Sequence, residues 1–192
     1  MRHHAPVAGP GDDLLRAARA LLGASVSPVG RSGRSFVVDA AGERLVLRLY
    51  PDLPARAAVD AALLRLVGGL LPVPEVVEAR TAAAPGRPAF LLRSYVAGET
   101  CEGRPGAESR QAADRVTAVL AAVPVLRAGD LVDGSLTPVP GPDDEPGPGC
   151  LVHGDLHPRH LIRDPVDGGL LAVLGWDAVR AQARHRQAPG LD

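Results

Sequence analysis

The densest group of side chains able to do chemistry lies in one segment near the end of the chain. Its members are three histidines and a carboxylate, namely His153, Asp155, His157 and His160. Apolar residues flank the segment, and Gly154 and Pro158 interrupt it, which predicts a loop between two strands rather than a helix. A carboxylate on such a loop is suited to orient a substrate hydroxyl or to accept its proton.

The same three histidines allow a second interpretation, a zinc site. Their spacing of four and three residues would place the imidazoles on one face of a helix, and histidine is a common zinc ligand. Gly154 and Pro158 oppose a helix here, so zinc is the lesser alternative. A third interpretation is structural, with the rings of His153 and His157 bracing the loop through hydrogen bonds.

The ordered run His-Gly-Asp-Leu-His-Pro, residues 153–158, is followed by a hairpin that closes on Trp176. This pattern resembles the catalytic loop of the aminoglycoside phosphotransferase and choline kinase family, relatives of the protein kinases. The resemblance implies transfer of the γ-phosphate of ATP to a hydroxyl of a small molecule, with Asp155 at that hydroxyl and Mg²⁺ on the phosphates. It also implies an α+β, protein-kinase-like fold with an antiparallel-sheet lobe, one helix packed on that sheet, and a reduced helical lobe.

The resemblance extends to nucleotide-binding positions upstream. The glycine-rich turn is represented by Gly30, Ser32 and Gly33. The phosphate-facing base is Arg48, with Asp60 as its acidic partner. The hinge strand that would hold adenine is represented by Ser94 and Val96. Glycines in such a turn let backbone amides approach phosphate oxygens closely. An arginine can replace lysine as the phosphate-facing base, because its guanidinium binds phosphate through two N–H groups.

Two positions depart from the family pattern. His160 stands where the family has an asparagine that binds magnesium, and Gly175 stands where it has the metal-binding aspartate. Magnesium prefers oxygen ligands, so imidazole is a poor substitute and glycine offers no side chain. Asp164 and Asp177 are nearby candidates to replace the missing carboxylate. Two functions therefore stay open: a kinase with a rearranged metal site that includes His160, and a degenerate pseudokinase that binds a nucleotide or a partner.

Composition argues against several other classes of function. All 21 basic residues are arginine, since the sequence contains neither Lys nor Asn, and the net charge is −1. That balance offers no basic surface for nucleic acid or an anionic membrane, and no apolar run approaches the ~20 residues of a membrane span. We therefore expect a cytoplasmic protein with free thiols at its two cysteines. Its expected ligands are a nucleotide and a small hydroxyl-bearing substrate, and its oligomeric state is not predicted.

The resemblance implies a chain of three parts. We predict an N-terminal segment with a helix over 1–24, a nucleotide-binding lobe over 25–97 and a truncated second lobe over 98–192. The second lobe would contain the catalytic-type loop 151–177 and a Pro/Gly-rich linker over 128–149. Apolar periodicity and composition predict helices over 13–23, 55–67, 108–122 and 177–187.

Overall fold

The structure is a computed structural model that describes residues 10–22, 25–29, 33–40, 42–81, 88–103, 106–123 and 150–182. Gly30 and Ser32 of the predicted phosphate-binding turn, and the predicted linker 128–149, lie outside these residues. The chain divides into two compact units. The first comprises Met1–Ala61 and Glu75–Tyr95, and the second comprises Ala62–Pro74 and Val96–Asp192.

The first unit is built on a five-stranded antiparallel sheet. Its strands are β1 (Ser25–Val29), β2 (Ser35–Ala40), β3 (Glu43–Tyr50), β4 (Val76–Arg80) and β5 (Ala89–Ser94). Their spatial order is β1-β2-β3-β5-β4, and every neighbouring pair is antiparallel. The β2–β3 hairpin turns at Gly42, whose φ of 86° lies in the region that favours glycine. The hairpin predicted from these two β-prone runs is confirmed.

One face of this sheet carries the core of the first unit. Alternate residues of a strand point to the same face, and the buried set is Phe36, Val38, Leu47, Leu49, Phe90 and Leu92. Helix α1 (Pro10–Leu22) contributes Ala18, which is fully buried in the same cluster, with Leu14 and Leu15 packed beside it. The apolar stripe that predicted this helix is therefore the face that covers the sheet.

Helix α2 (Pro54–Val67) spans the division between the units, which falls after Ala61. The helix begins with proline, at a position where the missing backbone N–H leaves no hydrogen bond unmade. Asp60 lies on its first half and is 4% exposed, although carboxylates are seldom buried without partners.

The second unit combines helix and short strands. Its elements after α2 are β6 (Glu99–Thr100), α3 (Gly106–Ala122), β7 (Cys150–Val152), β8 (Leu161–Arg163), β9 (Leu170–Val173) and β10 (Arg180–Gln182). The order β6-β8-β9 forms a three-stranded antiparallel sheet, and β7 pairs with β10. Single 3₁₀ turns occupy Pro158–His160 and Trp176–Ala178. The loop that carries Asp155 therefore connects β7 to β8.

The helix predicted over 177–187 is wrong where the structure describes that segment. Residues Arg180–Gln182 form β10, which pairs antiparallel with Cys150–Val152. The backbone groups along β7 need hydrogen-bond partners, and strand pairing with β10 supplies them, which overrides the local helix preference.

The fold class is α+β, as the resemblance implied. An antiparallel sheet with α1 packed on it, together with the first part of α2, makes the first unit, and the rest of α2, α3 and short strands make the second. Within the described ranges, no helix has both the length and the apolar character to cross a membrane.

Candidate active site

The loop between β7 and β8 is held at both ends by backbone contacts. At its start Gly154 has a φ of 80°, and a Cβ there would lie 2.0 Å from the carbonyl oxygen of Ala178. At its end the 3₁₀ turn Pro158–His160 follows His157, whose Nδ1 accepts from the Arg159 amide. The amide of Cys101 donates to the carbonyl of Pro158 at 3.1 Å. These contacts fix the path of the chain through Asp155.

His153 holds the start of the loop in place through contacts of its buried ring. The side chain is 3% exposed, and its Nε2 lies 2.9 Å from the carbonyl oxygen of Leu174, to which it donates. Its Nδ1 accepts from the amide of Asp155 at 3.4 Å, and its ring centroid lies 4.7 Å from that of Trp176. Burial is the main cause that lowers the pKa of His153, so the ring is neutral at pH 7. These contacts match the structural interpretation of this histidine.

Asp155 is the residue of this loop for which the resemblance implies a catalytic role. Its side chain is 48% exposed, and its carboxylate accepts from Nη2 of Arg159 at 3.3 and 3.4 Å. Nδ1 of His160 lies 3.7 Å from Oδ2 of the same carboxylate. The structure therefore brings together Asp155, His160 and Arg159, and a shared functional site for the first two stays a prediction. Sequence reasoning missed Arg159, although a cation four residues after the carboxylate was a visible signal.

Both ring nitrogens of His160 have protein partners. Nε2 accepts from Nε of Arg159 at 3.2 Å, so Nδ1 carries the proton of the neutral ring and donates to the carbonyl oxygen of Asp155 at 2.7 Å. A metal binds the free lone pair of a neutral imidazole. In this arrangement His160 has no lone pair left for a metal.

Gly175 lies directly against the His160 ring. A Cβ on Gly175 would be 2.5 Å from Nδ1, 2.7 Å from Cε1 and 2.8 Å from Cγ of the imidazole. The φ of Gly175 is 79°, so the position also favours glycine for its backbone. The two residues that depart from the family pattern are therefore in contact, and the imidazole fills the volume that a side chain at position 175 would need.

The residues present do not fit a magnesium ion held as the resemblance implies. Oδ1 of Asp164 accepts from the amide of Val166 at 2.7 Å, and so shapes the hairpin turn. Asp177 is exposed on the Trp176–Ala178 turn. Among the described residues, no group of three His, Cys, Asp or Glu side chains is placed to hold a metal ion. The zinc alternative for His153, His157 and His160 gains no support from this geometry either.

In the first unit, Tyr50 adjoins both Arg48 and Asp60. The Tyr50 hydroxyl donates to Oδ2 of Asp60 at 2.7 Å, and Nε of Arg56 donates to Oδ1 at 2.6 Å. Cζ of Arg48 lies 5.4 Å from the centroid of the Tyr50 ring. Sequence reasoning missed Tyr50 and Arg56, although the spacing of four residues between Arg56 and Asp60 on a helix is typical of an ion pair. A bridge between Arg48 and Asp60 stays a prediction.

Of the remaining predicted nucleotide-binding residues, three lie in the described part of the chain. Gly33 has a φ of 64°, and a Cβ there would have no neighbour within 4 Å. Oγ of Ser94 accepts from the amide of Glu75 at 2.9 Å, and the amide of Ser94 donates back to the carbonyl of Glu75 at the same distance. Val96 is the first residue of the second unit after the predicted hinge.

A pocket of about 340 Å³ lies beside the catalytic-type loop within the second unit. Leu156, His157 and Pro158 of the loop form one part of its wall, and Ser109 and Arg110 of α3 form another. The hydroxyl of Ser109 is buried and has no hydrogen-bond partner among the described residues. Sequence reasoning missed this pocket because its two walls come from segments far apart in the chain.

Comparisons with known proteins identify a matching family and solved structures with a similar fold. The sequence pattern described as the phosphotransferase enzyme family matches residues 25–143, a range that ends before the Asp155 loop. No curated protein sequence matches the chain.

Solved structures with the same fold include the GDP complex of aminoglycoside 2′-phosphotransferase-IIIa, with 20% identity and a TM-score of 0.59 over 83% of this chain and 68% of that one. Macrolide 2′-phosphotransferase MphH from Brachybacterium faecium has 24% identity and a TM-score of 0.58 over 88% and 73%. A thermostable mutant of aminoglycoside phosphotransferase APH(4)-Ia, in a ternary complex with ADP and hygromycin B, has 18% identity and a TM-score of 0.56 over 88% and 72%. This chain spans 66% of the length of a Ralstonia eutropha protein that is assigned to the aminoglycoside phosphotransferases.

Proposed function

Because the chain belongs to the phosphotransferase enzyme family, we propose that it binds ATP and transfers the γ-phosphoryl group to a hydroxyl of a small molecule. The observation that carries this proposal is the half-exposed carboxylate of Asp155 on a loop braced by His153 and by the 3₁₀ turn Pro158–His160. A carboxylate that is accessible but fixed in direction is what orientation of an acceptor hydroxyl requires.

Asp155 acts on the acceptor. The hydroxyl oxygen bonds to the γ-phosphorus, and the bond from that phosphorus to the bridging oxygen of the leaving diphosphate breaks. The hydroxyl proton passes to a carboxylate oxygen of Asp155. Arg159, which contacts both carboxylate oxygens, keeps the group pointing in one direction. Placement of this kind is the main contribution that a protein makes to phosphoryl transfer.

The nucleotide is held by the residues of the first unit and of the hinge. Arg48 binds the phosphates, and Asp60, fixed by Tyr50 and Arg56, orders that region. The resemblance assigns the phosphates to the glycine-rich turn represented by Gly30, Ser32 and Gly33, of which the structure describes only Gly33, and it assigns adenine to Ser94 and Val96. The GDP and ADP complexes of structures with this fold support a purine nucleotide as the ligand.

The acceptor binds in the pocket beside the loop. Leu156 and His157, which line it, directly follow Asp155 in the sequence, so the pocket wall begins next to the proposed catalytic residue. The buried hydroxyl of Ser109 offers a hydrogen bond that no described residue takes. The class of acceptor is a small molecule with several hydroxyls, as in the aminoglycoside and macrolide substrates named for structures with this fold.

A second candidate function is a nucleotide-binding module without turnover. The contact between His160 and Gly175 favours it, because the residues at both metal-binding positions of the family are replaced. Magnesium neutralises the charge of the transferring phosphoryl group in known kinases, so its loss slows the chemical step more than it weakens binding of the nucleoside.

One experiment separates these functions. ATP binding is measured by calorimetry, and release of ADP is measured with mixtures of hydroxylated acceptors, for wild type, Asp155→Asn and the control Asp114→Asn. Asp114 is exposed on α3, so its variant should match wild type in both measurements. We expect Asp155→Asn to retain ATP binding and to lose at least about 10²-fold in turnover. Binding without turnover in wild type would establish the second candidate, and no ATP binding would overturn both.

A further inference from the structure

The two departures from the family pattern form one structural unit. The imidazole of His160 lies so close to Gly175 that a Cβ on that glycine would be 2.5 Å from Nδ1. Carbon and nitrogen atoms that are not bonded do not approach to this distance, so the ring can occupy its site only because position 175 has no side chain. A metal-binding aspartate at 175 and the observed imidazole exclude each other.

The ring is also fixed by its hydrogen bonds. One nitrogen donates to the carbonyl of Asp155 at 2.7 Å, and the other accepts from Arg159 at 3.2 Å. The side chain of His160 is 16% exposed. To bind a cation, this histidine would have to break one of the two bonds.

A guanidinium already lies against both the carboxylate and the imidazole of the loop. Nη2 of Arg159 lies 3.3 Å from Oδ1 of Asp155, while Nε of the same group donates to His160. One planar cation therefore ties the carboxylate and the imidazole together, and contributes a positive charge beside Asp155. An arriving Mg²⁺ would meet like charge and no free imidazole lone pair.

We infer that His160, Gly175 and Arg159 form a metal-free replacement for the family's divalent-cation site, so that the loop binds no Mg²⁺ and the protein binds nucleotide independently of divalent metal. The nucleotide part of this inference rests on the proposed function, whereas the closure of the metal site does not. The chemical class of ligand is thus a nucleotide that is free of metal.

The steric part is tested by a double-mutant cycle in thermal unfolding. Gly175→Ala is made in wild type and in His160→Ala. Backbone strain at a φ of 79° is common to both backgrounds and cancels, so the remaining difference reports the contact with the imidazole. We expect Gly175→Ala to lower the Tm by about 5 °C more in wild type than in His160→Ala.

Gly103→Ala is the matched control for this cycle. Gly103 has the same φ of 79°, and a Cβ there would have no neighbour within 4 Å. Gly103→Ala should lower the Tm by the same amount in wild type and in His160→Ala. If Gly175→Ala also cost the same with and without His160, the two residues would not be coupled and the inference would fail.

The metal part is tested by titration of nucleotide-free protein with Mn²⁺, followed by electron paramagnetic resonance. Wild type should show no saturable binding at this loop, and the double variant His160→Asn, Gly175→Asp should gain it. Saturable binding in wild type that His160→Ala removes would overturn the inference, as would a folded double variant that binds no Mn²⁺.

The nucleotide part is tested by calorimetry with ATP, in Mg²⁺ and in chelator. The Kd of wild type should agree within about twofold between the two conditions, and a tenfold difference, about 1.4 kcal/mol, would overturn metal independence. If ATP binds in neither condition, the proposed function fails, while the unfolding cycle and the Mn²⁺ titration still decide whether the metal site is closed.

Discussion

The Nε2 of His153 donates to the carbonyl oxygen of Leu174 at 2.9 Å, which joins the start of the Asp155 loop to the end of the hairpin that follows it. The ring lies against Trp176, and its Nδ1 accepts from the amide of Asp155. One buried imidazole therefore connects the two ends of the segment 153–176, and the charge state of that ring should affect how well the segment holds together.

The first prediction concerns pH. Burial lowers the pKa of His153 in the folded protein below its ordinary value of 6.5. Below about pH 6.5 the unfolded chain binds a proton that the folded chain does not, so stability should fall as the pH falls toward the folded pKa, and level off below it. Thermal unfolding of wild type and of His153→Asn between pH 5 and 7.5 measures this. The variant, which lacks the imidazole, should show a smaller fall in stability. If stability fell equally with pH in the two proteins, the fall could not be assigned to His153.

The second prediction concerns Gly154. Its φ is 80°, and an added Cβ would lie 2.0 Å from the backbone oxygen of Ala178, which cannot move without shifting the chain. We expect Gly154→Ala to lower the free energy of unfolding by more than about 3 kcal/mol. Gly42→Ala is the control, because a φ of 86° strains the backbone there while no atom lies within 4 Å of the new Cβ. If the two variants lost the same free energy of unfolding in denaturant, the contact with Ala178 would not account for the loss at Gly154.

The third prediction concerns the buried carboxylate of the first unit. Tyr50→Phe removes the hydroxyl that donates to Asp60 at 2.7 Å, and so removes one hydrogen bond from a buried carboxylate. The free energy of unfolding should fall by about 1–3 kcal/mol. Tyr95→Phe removes a hydroxyl from a side chain that is 37% exposed, so its cost should be within about 0.5 kcal/mol of zero. Denaturant unfolding of the two variants is the measurement, and a neutral Tyr50→Phe would be inconsistent with this geometry.

The fourth prediction concerns Ser109 in the wall of the pocket. Its hydroxyl is buried without a hydrogen-bond partner among the described residues, so Ser109→Ala removes an unmet polar group and should leave the protein equally stable or more stable, by up to about 1 kcal/mol. The same variant should weaken binding of the acceptor, because Ser109 lines the proposed acceptor pocket. Thermal unfolding gives the first measurement. A clear loss of stability would indicate that the hydroxyl has a partner in the folded protein.

Thr117→Ala serves as the matched control for this prediction. Thr117 lies on the same helix, but its hydroxyl donates to the carbonyl of Ala113 at 2.9 Å and is exposed. Removing it should change stability by less than about 0.5 kcal/mol and should not change acceptor binding.

Much of the fold could be predicted because its signals are local. The alternation around Gly42 indicated the β2–β3 hairpin, and the spacing of Leu14, Leu15 and Ala18 indicated α1. The helix prediction was wrong at residues 180–182, because the strand there exists only through pairing with Cys150–Val152, some thirty residues away in the chain. Residue patterns report periodicity within a window, and they do not report which distant strand lacks a partner.

The candidate site shows the same division. By itself, the sequence determined the family, the loop that carries Asp155, and the loss of two metal-binding side chains at His160 and Gly175. Only the tertiary structure decided that these two positions are in contact, with the imidazole in the volume that the glycine leaves, and that Arg159 ties the ring to Asp155. The physical reason is that residue identity sets which atoms are available, whereas steric exclusion and hydrogen bonding depend on distances that arise once the hairpin folds back onto the loop.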